Sequence, residues 1–454
     1  MFGVSYLKKP LIRMINVGPI TEADIKLEPL TIFIGPNNVG KSYVAATIHA
    51  LKTGIYEGIR RAITPRIIFE FRKRKKERLD VQIIKKEFWP SCTKSVGLRL
   101  EHSFGSSIDD IINVDASNIR IEIIGRSFKG FMEFHKGGGV KSDCEVTLRK
   151  GQKNISPSRL VIEPMPSFFL PAARSGILQA HKAIAAVITE LSPLMPIRGV
   201  EIPKLSGVTA KFIHDLLMVA ERPISRFRRP LLRPLFWEYL RFIEITPEEY
   251  KEFDKKLLKL LNFMENELLK GTIKPRAPHE KLAPDFFYRS IDGRIEVPLY
   301  RASSMVSELA PLYIYLKYVI PGPSFLIIEE PESHLHPEAQ AIIARLLVKL
   351  IRIGFHILIT THSDHILGQL SNHIALSTLT PDERKKLGYE DDEWLKPSEV
   401  SAYLFKFKKK RAVTERLRVT EEGIPDEELT KVAEEIYGTY TRIHYHKQLK
   451  TAPR

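Results

Sequence analysis

The sequence has little cysteine, with only Cys92 and Cys144 among its 454 residues. A disulfide framework or a cysteine-based zinc site is therefore not expected. It also lacks an uninterrupted apolar run of about 18 residues, the length that a membrane span requires. The N-terminal segment MFGVSYLKKPLIRM has neither the apolar core nor the small-residue cleavage site of a secretory signal. These absences predict a cytoplasmic protein without a membrane partner.

Acidic residues are in short supply relative to basic ones. The chain has 70 lysines and arginines against 54 aspartates and glutamates, which gives a net charge of +16. Such an excess favours a polyanionic partner, either DNA, RNA or an anionic membrane surface, although a basic proteome would produce the same bias. The most concentrated basic runs are residues 72–76, 226–229 and 408–411. Nucleic acid is the partner that we expect.

Hydrophobic periodicity divides the chain into four predicted regions. Residues 1–175 contain two strands, a helix from Lys41, and alternating stretches that predict antiparallel strands, namely VGLRLEH, NIRIEII, FMEFH and EVTLRK. Residues 176–300 are predicted to be a mainly helical insertion, and residues 301–410 return to an α/β pattern. Residues 411–454 are predicted as a helical tail with an amphipathic stretch at 426–440. The predicted fold class is α/β, with an antiparallel β subdomain.

A phosphate-binding loop stands between the apolar stretch TIFI and the first predicted helix. It matches G-x-x-x-x-G-K-[ST] without a gap, over Gly35, Pro36, Asn37, Asn38, Val39, Gly40, Lys41 and Ser42. The glycines let backbone amides at the helix N-terminus approach phosphate oxygens closely. Lys41 is predicted to pair with the β- and γ-phosphates, and the Ser42 hydroxyl to bind Mg²⁺. The motif thus predicts ATP and Mg²⁺ as ligands.

A second apolar stretch, FLII, ends in the two carboxylates Glu329 and Glu330. This is the Walker B arrangement, in which a buried strand holds two acids beside the phosphate loop. We expect Glu329 to hold the Mg²⁺ shell and Glu330 to polarise the attacking water. His362 follows the next predicted strand, where it can hydrogen-bond the γ-phosphate and the catalytic water. Glu330 and His362 are therefore the candidate catalytic residues.

Two other polar clusters have simpler interpretations. Four histidines could suggest a zinc site, namely His334, His336, His362 and His365. No cysteine accompanies them, and the ATPase motifs explain their setting. The acidic run at residues 390–393 could suggest nuclease carboxylates, but it lies in a polar stretch without flanking predicted strands. We therefore expect neither a zinc site nor a nuclease site.

The segments LIIEEPESHLHPEAQ, at 326–340, and ILITTHSDHIL, at 357–367, resemble the ABC-type ATPases grouped around the OLD, RecF and SMC proteins. The closest resemblance is to OLD-like ATPases of prokaryotic genome-defence and toxin-type systems. The loop GPNNVGKS and the segment FLPAARSGIL, at 169–178, fit the same group. The resemblance covers about residues 10–55, 165–180 and 300–370, and it implies an ABC-type P-loop head built from two lobes.

The resemblance also implies that two copies, or a higher even number, assemble around ATP. Ser303 and Ser304 would open the signature helix and approach the γ-phosphate held by the other copy. Residues 331–334 would form the D-loop at the dimer interface. Met305 departs from the family pattern, in which glycine is usual at this position. This departure puts tight packing against the nucleotide in question and points to slow turnover.

Two residues have open assignments in this resemblance. Arg174 fits either a contact with phosphate or DNA, or a structural salt bridge. Gln179 is a candidate for the Q-loop glutamine. OLD nucleases continue into a Toprim nuclease domain, whereas the residues after His362 carry no strand-borne acidic motif. Any nuclease or toxic activity is therefore expected from a separate effector protein.

The motifs and the resemblance together predict an enzyme that converts ATP to ADP and phosphate. The favoured biological role is a nucleotide-gated sensor or scaffold in genome defence. The alternative is a RecF- or SMC-like DNA-binding ATPase for repair or chromosome maintenance. A transporter motor is disfavoured because transporter heads are compact, and the insertion between the two lobes is too long.

Overall fold

The computed structural model describes residues 10–62, 79–125, 128–147, 154–155, 165–191, 205–219, 246–276, 284–408, 411–425, 438–439 and 441–442. The strands, numbered in chain order, are β1 Leu11–Val17, β2 Ile20–Lys26, β3 Leu30–Ile34, β4 Leu79–Asp80, β5 Asn118–Ile124, β6 Phe128–His135, β7 Val140–Val146, β8 Asn154–Ile155, β9 Ser167–Leu170, β10 Gly271–Arg276, β11 Asp285–Ser290, β12 Glu296–Pro298, β13 Phe325–Glu329, β14 His356–Thr361, β15 Val400–Lys408 and β16 Arg411–Leu417.

The helices accompany these strands along the chain. They are α1 Lys41–Ala62, α2 Val81–Ile83, α3 Trp89–Phe104, α4 Ile108–Ile111, α5 Arg174–Leu191, α6 Gly207–Leu217, α7 Pro247–Phe263, α8 Ser304–Ile314, α9 Pro337–Arg352, α10 Asp364–Ala375 and α11 Pro381–Lys386. Wider π turns occupy Ile84–Phe88, Met264–Leu268 and Tyr315–Val319, and 3₁₀ turns occupy Leu299–Arg301, Leu376–Thr378 and Pro397–Glu399. None of the helices in the described ranges combines the length and apolar character needed to cross a membrane.

An 11-stranded mixed sheet organises the fold, in the order β7-β6-β5-β1-β2-β16-β15-β3-β14-β13-β9. The strands from β15 to β9 run parallel to their neighbours. The strands from β7 to β2 are antiparallel. Strand β16 joins the two halves, because it pairs antiparallel with β15 and parallel with β2. Segments that are distant in sequence therefore complete one sheet.

The central parallel strands are buried on both faces, which explains their nearly continuous apolar sequences. In β13, Leu326 and Ile328 pack into a core shared with α6 to α10. Phe325 and Ile327 point to the opposite face, into a core shared with α1, α3 and the antiparallel strands. Strands β3 and β14 alternate in the same way between these two cores. The strand ends that carry the sequence motifs are thus held between two hydrophobic layers.

The antiparallel strands are only partly as predicted. NIRIEII forms β5 and FMEFH lies in β6, as expected. The first two residues of EVTLRK lie in β7, and its last three lie outside the described residues. The prediction of a strand for VGLRLEH is wrong, because this segment belongs to helix α3. Val96 and Leu100 of α3 are buried one helical turn apart, whereas Leu98 between them is 49% exposed. Helical packing against α1, rather than strand pairing, therefore buries this segment.

Two predicted regions contain strands as well as helices. The region predicted as a helical insertion ends in the antiparallel sheet β10-β11-β12. The region predicted as a helical tail begins with β16, which forms a hairpin with β15. A strand forms there because pairing with β15 and β2 satisfies its backbone groups while Ala412 enters the core. Residues 426–437 and 440 of the predicted amphipathic stretch lie outside the described residues.

Candidate nucleotide site

The phosphate loop connects β3 to α1 at the centre of the sheet. Gly35, Asn38 and Gly40 adopt positive φ angles of 139°, 62° and 100°, conformations that favour glycine or asparagine. A Cβ atom on Gly35 would lie 2.3 Å from the carbonyl oxygen of Phe405 in β15. The loop therefore needs glycine both for its turn and for its close contact with the neighbouring strand. The side chains of Pro36, Asn37 and Asn38 are exposed, whereas Val39 is buried.

Lys41 is the first residue of α1, and its side chain turns back into the loop. Its Nζ donates to the carbonyl oxygens of Gly35, at 2.5 Å, and Pro36, at 2.7 Å. Burial lowers the pKa of Lys41, while the charges of three nearby carboxylates oppose that shift, namely Glu330, Glu332 and Glu329. The structure thus brings the loop lysine together with the Walker B acids.

Glu329, the last residue of β13, is buried, and within the part of the chain that the structure describes only one of its two carboxylate oxygens has a hydrogen-bond partner. Its carboxylate accepts hydrogen bonds from the Ser42 side chain and from the Ala172 amide, the latter at 3.3 Å. Its Oε1 atom is buried and has no hydrogen-bond partner among the described residues. Burial raises the pKa of Glu329. A buried carboxylate oxygen without a donor is costly, and a hard divalent cation would satisfy it. Ser42 and Glu329 therefore fit an Mg²⁺ site.

Glu330 and His362 lie next to each other at the ends of β13 and β14. The backbone of Glu330 has a φ of 44°, which is unusual for a residue with a side chain. Its amide donates to the Thr360 carbonyl at 2.9 Å, and its carboxylate accepts from the Ser333 hydroxyl at 3.0 Å. Nδ1 of His362 is 3.9 Å from Oε1 of Glu330, and the imidazole is half exposed. The turn after β13 therefore places the Glu330 carboxylate next to the His362 imidazole.

Ser303 and Ser304 lie at the exposed N-terminus of α8. Ser303 is the N-cap, and its hydroxyl accepts a hydrogen bond from the Val306 amide at 3.4 Å. Neither serine has a recorded hydrogen bond to the phosphate loop within the described chain. Both serine side chains are therefore open to solvent at the start of this helix.

Arg174 makes structural contacts within the chain. Its side chain is 2% exposed, and its Nη1 and Nη2 atoms donate to the carbonyl oxygens of Glu329, at 2.7 Å, and Glu330, at 3.2 Å. Its Nε donates to the Glu308 carbonyl at 3.4 Å, and the Glu308 carboxylate is 3.9 Å away. Burial this deep rules out a direct contact with DNA in this conformation. Gln179 lies further along α5 and is exposed.

Sequence reasoning missed two buried carboxylates beside this site, Glu308 of α8 and Glu332 of the turn after β13. Glu308 accepts hydrogen bonds from the Ser175 hydroxyl and from Nδ1 of His334, the latter at 2.9 Å. It is the one acidic residue in an otherwise apolar helix, SMVSELAPLYI, and a lone charge in such a context indicates a buried partner. Glu332 belongs to the predicted D-loop, residues 331–334. That motif does not indicate which groups the Glu332 carboxylate contacts.

The remaining polar clusters have structural partners. The carboxylates of Glu390, Asp392 and Glu393 surround Nζ of Lys349 at 2.7, 2.8 and 3.0 Å. The Lys349 ammonium group thus lies at the centre of this acidic turn. Its charge balances the carboxylates, so the turn does not require a metal ion. Within the described residues, the four histidines considered for zinc form no group with metal-ligand spacing.

Comparison with known families gives one match. The profile of a family described as "AAA domain, putative AbiEii toxin, Type IV TA system" matches residues 204–368. That stretch contains the predicted signature helix, the Walker B strand and His362, but it begins after the phosphate loop. It covers less than half of the chain. Comparison with the curated proteins gives no match.

Several solved structures are similar to this chain at low identity. The SMC head domain from Thermotoga maritima has 11% identity and a TM-score of 0.38, over 90% of this chain and 100% of that one. An Smc head bound to the C-terminal domain of ScpA, derived from Pyrococcus furiosus, has 11% identity and a TM-score of 0.41, over 95% and 99%. The recombination mediator RecF has 12% identity and a TM-score of 0.37, over 91% and 100%.

The fold class follows from the topology of this chain. The phosphate-loop strand β3 and the Walker B strand β13 flank β14, which carries His362 at its end. An antiparallel subdomain completes the sheet on the far side of β15 and β16. The predicted α/β class is confirmed, since one large mixed sheet is combined with helices and an antiparallel subdomain.

Proposed function

We propose that the protein is an Mg²⁺-dependent ATPase that dimerises around ATP. The observation that carries this proposal is the convergence of five side chains at the ends of β3, β13 and β14. Lys41 faces three carboxylates, Ser42 is hydrogen-bonded to Glu329, and Glu330 lies beside His362. This arrangement supplies a cation for phosphate, an oxygen pair for Mg²⁺ and a base for water, which are the components that phosphoryl transfer requires.

Each residue has one role in the proposed hydrolysis. The loop amides and Lys41 hold the phosphates, which requires Lys41 to exchange its two carbonyl contacts for phosphate oxygens. Ser42 and Glu329 would hold Mg²⁺, which would neutralise charge on the phosphates. Glu330 orients a water and accepts its proton as the water attacks the γ-phosphorus and the bond to ADP breaks. His362 donates to an oxygen of the γ-phosphate.

We further propose that the dimer acts as a nucleotide-gated sensor or scaffold in prokaryotic genome defence, controlling a separate effector. Two features support this role. The OLD-like motif segments at 326–340 and 357–367 resemble defence ATPases, and the matched family profile carries a toxin-type description. A small toxin or nuclease gene beside the gene for this chain would support the proposal, whereas a repair-gene neighbourhood would favour the alternative.

The alternative is a RecF- or SMC-like ATPase that acts on DNA. The net charge of +16 favours it, because the excess is large enough to give affinity for a polyanion without sequence recognition. Nucleic-acid binding alone does not decide between the two roles, since a defence sensor can also bind DNA.

Two substitutions test the proposed chemistry. Lys41→Ala should abolish binding of Mg²⁺-ATP, because it removes the cationic partner of the phosphates. Glu330→Gln should bind ATP normally but reduce hydrolysis by about 100-fold or more, because it removes the base. Glu338→Gln, at an exposed carboxylate in α9, is the matched control and should change neither property. Normal turnover by Glu330→Gln would show that the base is a different residue.

A further inference from the structure

Glu332 is a buried carboxylate that the proposed chemistry does not use. It is 5% exposed and lies in the turn after β13, two residues beyond Glu330. Its Oε1 atom accepts hydrogen bonds from the Thr361 hydroxyl at 2.5 Å and from the His362 amide at 3.2 Å. The carboxylate is therefore bound to the same backbone segment that presents the His362 side chain.

The same carboxylate retains acceptor capacity beside the imidazole. Its Oε2 atom is buried and has no hydrogen-bond partner among the described residues. Nδ1 of His362 lies 3.9 Å from Oε1, just beyond hydrogen-bonding distance, so a small rotation of the ring would bring it into contact. An ionised carboxylate is an acceptor only, and burial without enough donors is costly. An Nδ1–H of His362, whose nitrogen lies 3.9 Å from this carboxylate, is a donor that could satisfy it.

Glu330 competes for the same ring nitrogen but is less suited to orienting it. Its Oε1 is also 3.9 Å from Nδ1, yet its side chain is 29% exposed and the proposed reaction needs it free to contact water. Glu332, in contrast, is held by two donors from the His362 segment. The positions of Glu332 and His362 are thus fixed relative to each other.

We propose that Glu332 is the positioning residue for His362. Resting on the proposed ATPase function, this assigns Nδ1–H of His362 as the donor to Glu332 in the nucleotide-bound state. The opposite ring nitrogen, Nε2, is then left to face the γ-phosphate. A carboxylate that fixes the ring and its tautomer in this way raises the effectiveness of the imidazole without contacting the substrate.

Two substitutions at position 332 separate positioning from simple structural support. Glu332→Gln keeps a carbonyl oxygen, whose two lone pairs accept from the Thr361 hydroxyl and the His362 amide. Its NH₂ group replaces Oε2, the remaining acceptor, and cannot accept from Nδ1–H. Glu332→Ala removes both functions. Glu332→Gln is therefore expected to melt within a few degrees of the unmodified protein, whereas Glu332→Ala melts lower because the two donors lose their acceptor.

The decisive measurement is a double-mutant cycle with His362→Ala, using kcat and KM for Mg²⁺-ATP and the Kd of a fluorescent ATP analogue. Glu332→Gln should lower kcat about 10- to 100-fold while KM and Kd change less than about twofold. In the His362→Ala background the same substitution should have no further effect, because the ring that it positions is gone. Glu338→Gln should resemble the unmodified protein.

A second variant tests the link without altering the carboxylate. Thr361→Val removes one of the two hydrogen bonds that hold Glu332, and it should lower kcat only when His362 is present. An unchanged kcat for Glu332→Gln, or effects that multiply with those of His362→Ala, would overturn the assignment of Glu332 while leaving the ATPase proposal intact. Absence of hydrolysis by the unmodified protein would overturn the ATPase proposal, and this assignment with it.

Discussion

At the scale of single residues, the backbone that carries the two Walker B glutamates is held by an arginine from a different part of the chain. Arg174 donates to the carbonyl oxygens of both Glu329 and Glu330, and it approaches Glu308 of α8. The arginine fork suits this task because its donors are planar and point in fixed directions. One buried side chain thereby connects the end of β13 to the predicted signature helix.

We predict that Arg174→Met lowers stability by about 3 kcal/mol, because it leaves the Glu308 carboxylate buried without its cation and frees three carbonyl groups. ATP turnover should fall with it, since Glu329 and Glu330 lose their support. Urea denaturation and a turnover assay measure the two effects. Ser175→Ala, which removes only one hydroxyl donor to Glu308, is the control and should cost about 1 kcal/mol. Equal denaturation midpoints for the two variants would refute this role of Arg174.

At the scale of secondary-structure elements, the sequence predicted the parts that depend on local pattern. Strands β3, β13 and β14 are nearly continuous apolar runs, and each leads to residues whose chemistry is specific, such as Lys41 or Glu330. Parallel strands place such ends at one edge of a sheet, so the motifs alone indicated which of them would meet. Their predicted roles remain proposals that mutation has to test.

Elements that depend on contact between distant segments could not be predicted in the same way. Helix α3 fits against α1 because Gly54 and Gly58 leave space for its backbone. A Cβ on Gly54 would lie 2.6 Å from the Val96 Cα, and one on Gly58 would lie 2.3 Å from the Cys92 Cα. The sequence of neither helix shows this complementarity by itself. The short alternation of apolar and polar residues in VGLRLEH therefore predicted a strand. The contacts of Arg174 and Glu332 escaped prediction for the same reason.

Helix α8 has two candidate functions at its first turn, which one substitution can separate. The Ser303 hydroxyl caps the helix, whereas the predicted signature role places the same hydroxyl against the γ-phosphate of a second copy. Ser303→Asp keeps a strong N-cap and adds a negative charge. We predict that it melts at or above the temperature of the unmodified protein but hydrolyses ATP at least about 10-fold more slowly, because the charge repels phosphate.

Ser303→Ala is the matched control for this helix. It should lose about 1 kcal/mol of stability with the cap, but it should retain more activity than the aspartate variant because it introduces no charge. Thermal unfolding and ATP turnover distinguish the two roles. Full activity of Ser303→Asp would show that Ser303 is a helix cap only and that the signature assignment is wrong.

At the scale of the whole molecule, the charge excess predicts nucleic-acid binding that weakens steeply with salt, because each phosphate contact releases a counterion. Of the three basic runs, residues 72–76 and 226–229 lie outside the described residues. Lys408 and Arg411 are exposed and pair across the end of the β15–β16 hairpin. This hairpin end is therefore the described surface on which the prediction can be tested.

We predict that replacing Lys408 and Arg411 by glutamate lowers affinity and reduces the salt slope by about 1 per lost contact. Filter binding to duplex and single-stranded DNA over a salt series measures both quantities. The same change at the exposed lysines Lys251 and Lys255 of α7 is a charge-matched control and should have a smaller effect. No binding to either DNA at low salt would eliminate DNA as a partner.

The arrangement of the site over the whole molecule leads to the prediction of a composite active site. Lys41 and Glu330 lie at one edge of the sheet, whereas Ser304 is exposed at the start of helix α8. The predicted signature role places this helix against the γ-phosphate that a second copy holds. A phosphate left open to water gains little from charge stabilisation, so a single copy should be nearly inactive.

Mixing two inactive variants tests this directly. Ser304→Arg places bulk and charge at the proposed interface, and it should block hydrolysis while sparing ATP binding. Lys41→Ala should bind no ATP but should present an intact α8. In a mixed dimer, the phosphate loop of the first variant faces the helix of the second, and one of the two sites is complete. Partial activity should therefore return on mixing, and the specific activity of the unmodified protein should fall on dilution as dimers dissociate. Constant activity per copy down to a proven monomer would contradict the composite site, because a complete site would then exist within one chain.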